Sequence, residues 1–139
     1  MPNYTFPRTG RTALSCSGEI VARATSQAPG EQRRNQSYLS QRWHELTLVR
    51  TERGYVLAIA YRHAPDWSRE VAHDHAEFCE DESAVPPALE AYDPIEHVHG
   101  YPPGAQFAER QKRLLSDLQR GYYSACGRLL AEAGIAERV

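Results

Sequence analysis

Two segments in the middle of the chain alternate apolar and polar residues with the period of a β-strand. In Arg42–Thr51, Leu46 and Leu48 face one way and Trp43, Thr47 and Val49 the other. After a compact turn at Glu52-Arg53-Gly54, Tyr55–Arg62 returns with Tyr55, Leu57, Ile59 and Tyr61 on a single face. Aromatic and β-branched residues on either side of a short glycine-containing loop predict an antiparallel hairpin. The return strand is apolar on both faces, which places it inside a sheet with a helix over one side.

Upstream, Thr12–Ser15 and Glu19–Thr25 read as two short strands joined at Ser17-Gly18, and residues 26–40 are polar enough for a long surface loop. Downstream, Ala64-Pro65-Asp66 is a break and Ser68–Cys79 the next strand. A short helix follows over Ala84–Tyr92, capped by Asp81 or Ser83, with Pro86 and Pro87 tolerated in its first turn. Residues 93–104 hold three Pro and two Gly and predict a loop.

The last element spans Gln106–Ala133, where Phe107, Leu114, Leu118, Tyr122, Ala125 and Leu129 form one apolar stripe at helical spacing. Gly121 and Gly127 each weaken that helix by about 1 kcal/mol and mark where it would break; Gly134 predicts its stop. The fold class expected is α+β: an antiparallel meander sheet of about four to five strands, with a short helix and a long C-terminal helix packed on one face. The 139 residues are read as one domain.

Composition adds little to that outline. No apolar run approaches the roughly 20 residues that cross a bilayer, and the N-terminal stretch lacks the apolar centre of a secretion signal; a cytoplasmic protein is expected. Cys16, Cys79 and Cys126 are too far apart for a C-x-x-C pair and read as buried thiols. Fifteen of the sixteen basic residues are Arg, and Lys112 is the single lysine. With the abundance of Ala this suggests a GC-rich coding bias, of a bacterium or of a mobile element in one, so Arg content is a poor sign of phosphate binding.

The arrangement of charge is more informative. From Glu70 to Glu109 the chain carries ten carboxylates and no Lys or Arg, whereas residues 1–69 have a net of +5 and residues 110–139 a net of +3. A concentrated acidic surface speeds encounter with a basic partner and disfavours others. The sequence also holds His73-x-His75 and His97-x-His99. On a strand His73 and His75 share a face, with Glu77 and Cys79 continuing the row, so the four histidines are a candidate site for Zn, Ni, Fe or Mn. His73-x-His75 with Glu80 resembles the metal motif of cupins in those three residues alone. Trp67 and Pro87 stand where that motif has glycines, and the chain is not assigned to the family.

No nucleophile elbow, phosphate-binding glycine loop or metalloprotease motif is present. A pI near 6.3 disfavours direct nucleic-acid binding. The function expected is that of a non-enzymatic binding or inhibitor protein, as phages and plasmids encode, without a cofactor. Its partner would be a protein with a basic, nucleic-acid-handling surface, or a second copy of this chain. The residues expected to meet it are Glu70, Asp74, Glu77, Glu80, Asp81, Glu82, Glu90, Tyr92 and Asp93. The alternative is a small metal-binding protein or metalloenzyme built on His73, His75, His97 and His99.

Overall fold

The computed structural model describes residues 1–27, 42–64, 70–99 and 104–136. Residues 28–40 of the expected long loop, the break at Pro65-Asp66, the start of a strand at Ser68, residues 100–103 of the expected loop before the long helix and the side chain of Phe107 lie outside the described residues. The fold is α+β, with a two-stranded and a four-stranded antiparallel sheet, a short helix and a long helix. Strands β1 (Asn3–Arg8) and β2 (Arg11–Ser17) pair with each other. Strands β3 (Glu19–Thr25), β4 (Arg42–Arg50), β5 (Tyr55–His63) and β6 (His73–Cys79) form a meander in chain order. Helix α1 covers Val85–Ala91 and helix α2 covers Ala108–Ala133.

The central hairpin follows the predicted alternation. Leu46 pairs with Ile59 and Leu48 with Leu57, and all four are buried. They meet Val85 and Leu89 from α1, and Tyr122, Ala125 and Leu129 from α2, in the main core. This is the apolar stripe read from the helix, and burying it outweighs the low propensity of Gly121 and Gly127, so α2 runs through both. Its end is a Schellman motif: Gly134 adopts φ +71°, its N–H donates to the Ala131 carbonyl at 3.2 Å, and the Ile135 N–H donates to the Leu130 carbonyl at 2.9 Å. Asp81 caps not α1 itself but the 3-10 turn Glu82–Ala84 that leads into it, accepting from the Ala84 N–H at 3.2 Å. Helix α1 starts at Val85 without a side-chain cap, and the prolines occupy its first turn as expected.

The other face of the sheet is partly covered by the β1–β2 hairpin, so the sheet lies between helices and hairpin. The Thr9 N–H donates to the Asp74 carbonyl at 2.9 Å, and the Asp74 N–H donates to Thr9 Oγ1 at 2.8 Å, which ties the hairpin to β6. Here the structure departs from the expected pairing. The Ser17-Gly18 turn does not join two strands of one sheet; β2 turns back on β1, and Gly18 starts the passage to β3.

Gly54, in the β4–β5 turn, is set by proximity alone. A Cβ there would stand 2.3 Å from the Cys79 carbonyl oxygen and 2.7 Å from that of Glu80, both backbone atoms that cannot swing aside. Gly54→Ala is therefore expected to lower stability by about 2 kcal/mol, the scale of overpacking, as read by urea denaturation.

Candidate functional site

The polar residues of the sheet gather at one end of its helix-covered face. Arg42 and His44 continue the side of β4 that carries Leu46 and Leu48, so the alternation that buries the leucines buries them too. His44 lies opposite Tyr61, and Tyr61 opposite His73, which makes a row across three strands. The His44 ring is fully enclosed, with the rings of Tyr61, Tyr92 and Tyr122 centred 5.4, 5.8 and 5.1 Å away. Neither of its nitrogens has a hydrogen-bond partner among the described residues. Burial, and then the nearby His97, hold its pKa down at about 4, so it is a neutral imidazole at pH 7. Burial also pushes the Tyr61, Tyr92 and Tyr122 hydroxyls up, out of the phenolate range. Tyr122 donates to the Leu89 carbonyl at 2.7 Å and so joins α2 to α1.

Beside this cage lies a buried ion pair. Arg42 Nε donates to Glu70 Oε2 at 2.6 Å, and both side chains are inaccessible to solvent. Glu70 Oε1 also accepts the Val71 N–H at 3.3 Å and the His99 N–H at 3.2 Å. One carboxylate thus holds together the start of β4, the approach to β6 and the segment before α2. It is a structural clamp, and it is not available to a partner.

The remaining expected contact residues divide by depth. Asp74 faces the hairpin side of β6 and accepts from Arg62 at 2.7 Å. Tyr92 is buried against His44, His75 and Tyr122. Glu77 is half-buried and 3.1 Å from His75 Nε2. Glu80, Asp81, Glu82, Glu90 and Asp93 are exposed, and no Lys or Arg pairs with them among the described residues. Asp81, Glu82 and Glu90 line one concavity of about 480 Å³ with Pro86, Pro87 and Ile135. The continuous strip expected from Glu70 to Asp93 is therefore a smaller acidic end around α1, with Glu70, Asp74 and Tyr92 turned inward.

The histidines meet, but not as ligands of one ion. The His73 and His97 rings stack with centroids 3.4 Å apart and planes 11° from parallel. A metal lies close to the plane of each imidazole that binds it, and two parallel planes this far apart share no such point. His75 faces Glu77 and Tyr92, and the His99 residue is exposed. Among the described residues no three His, Cys, Asp or Glu side chains form a group that could hold a metal. The Cys79 and Cys126 thiols are pushed up by burial to about 11, which leaves them protonated and unreactive near neutrality.

Arg42, His44 and Tyr122 were not marked as special by any motif. The one available sign was that Arg42 and His44 occupy the register of a buried strand face. No helix among the described residues is long and apolar enough to cross a membrane. No protein-family model matches the chain, and neither a curated protein nor a solved structure shows significant similarity to it.

Proposed function

We propose that the protein is a non-enzymatic binding or inhibitor protein that offers the acidic end around α1 to a basic protein surface. The supporting observation is that Glu80, Asp81, Glu82, Glu90 and Asp93 remain exposed and unmatched by Lys or Arg among the described residues, although Arg is abundant elsewhere in the chain. Charges left without an internal counterion gain most from an external one, and they draw an oppositely charged surface into register before contact. Pro86 and Pro87 beside them supply apolar contact of the kind that a purely solvated acidic face lacks. A partner that normally grips phosphates has the complementary chemistry, and Glu90 on α1 with the carboxylates on either side of the helix would take the place of those phosphates.

The test spares Asp81, because its carboxylate caps the turn into α1. The triple charge reversal E80K/E82K/E90K is expected to keep the fold, as read by circular dichroism, and to weaken capture of a basic partner at least tenfold. Capture by the native protein should fall as salt rises, since exposed charges are screened over about 8–10 Å near physiological ionic strength. Equal capture by native and reversed proteins, or capture indifferent to salt, would remove the basis of the reading.

A further inference from the structure

A larger concavity, of about 710 Å³, lies on the face of the sheet opposite the helices. That size is typical of sites that enclose a small molecule. Its floor is unusually low: Ala58 lies opposite Thr47, and Ala60 lies between Glu45 and Asp74 in neighbouring strands. The middle of a sheet usually carries β-branched or aromatic residues. Alanines on two adjacent rows leave room for a flat body to lie directly on the strands. Phe6, from the hairpin, forms one wall of the groove.

The rim carries three guanidiniums against two carboxylates. Arg62 is occupied with both acids, at 2.7 Å from Asp74 and 3.9 Å from Glu45. Arg23 and Arg128 form no ion pair among the described residues. Arg128 donates to the Thr25 carbonyl at 2.9 Å, which holds it over the edge of β3 without neutralising it. The groove therefore combines an apolar floor, an aromatic wall and two positive charges in need of an anion.

We propose that this groove binds a small planar anion, with its apolar body on Ala58 and Ala60 against Phe6 and its acidic group toward Arg23 and Arg128. Arginine binds carboxylate, sulfonate and phosphate by the same forked, charge-assisted hydrogen bonds, so the three are one ligand chemistry. The site is separate from the acidic end around α1 and does not depend on it.

The probe is anilinonaphthalene sulfonate, titrated by fluorescence, with phenylnaphthylamine as its uncharged counterpart. Native protein is expected to bind the sulfonate at one site per chain. R23A/R128A should weaken that binding at least tenfold, the scale of a lost charge-assisted contact, while leaving phenylnaphthylamine unaffected. Ala58→Leu, which fills the floor, should abolish binding of both, and Phe6→Ala should weaken both if the leucine variant fails to fold. Displacement by naphthoate and by naphthyl phosphate then ranks carboxylate against phosphate. Sulfonate affinity unchanged in R23A/R128A, or no saturable binding by the native protein, would overturn the assignment.

Discussion

Glu70→Ala is expected to lower stability by about 3–5 kcal/mol, the range found when one partner of a buried ion pair is removed. The Arg42–Glu70 contact, at 2.6 Å with neither side chain reaching solvent, leaves the remaining guanidinium in a low-dielectric interior with its main counterion gone. The same carboxylate satisfies the N–H groups of Val71 and His99, so its removal also releases the segment ahead of α2. Urea denaturation at pH 7 measures the loss, and amide exchange should accelerate over residues 93–99 before it does in β4 and β5. R42M/E70L should recover part of the deficit, because it removes both charges of the pair, while the Val71 and His99 N–H groups still lose their acceptor. A single Glu70→Ala variant within about 1 kcal/mol of native would show that the clamp does not carry the load assigned to it.

That clamp also shows where a count of charges along a chain stops being informative. Ten acids without a base over forty residues is a true statement about composition, yet it weighs Glu70 and Glu80 alike. Glu70 is buried against an arginine 28 positions earlier in the chain, while Glu80 is exposed and unmatched. The difference is set by which strands become neighbours, and no local pattern encodes it. The β4–β5 hairpin was legible for the opposite reason: alternation, turn and side-chain type agree within twenty residues, and each reports on the same buried face.

Strand β1 left a weak trace because it is half-buried at best and contains Pro7, which reads as an interruption. Ser17-Gly18 has the chemistry of a hairpin turn, but Gly18 answers a different demand. A Cβ at that position would sit 2.1 Å from the Arg50 carbonyl oxygen, so glycine is there to let two backbones pass. In the candidate site, the row His73, His75, Glu77 and Cys79 was correctly placed on one strand face. What that row faces was beyond local reasoning. His97 returns from a loop to stack on His73, and this contact sets the direction of both rings.

The buried His44 makes a second measurable demand on the fold, and its sign follows from linkage. In the unfolded chain the imidazole takes up a proton near pH 6.5, whereas in the folded protein burial, reinforced by His97, delays uptake to about 4. Between those two values the unfolded state binds the extra proton, so stability falls as pH drops, by a total of about 3 kcal/mol. Above pH 6.5 the residue is neutral in both states and contributes no slope. His73 is shifted in the same direction, first by burial and then by His97, and leaves a smaller dependence behind. His44→Leu separates the two. It removes two ring nitrogens that have no partner among the described residues, so stability at pH 7 should be unchanged or higher. The fall between pH 6.5 and 4 should shrink by most of the 3 kcal/mol, as measured by denaturation at half-unit intervals of pH. If the leucine variant keeps the native slope, the acid sensitivity resides elsewhere and the tyrosine cage does not exclude the proton.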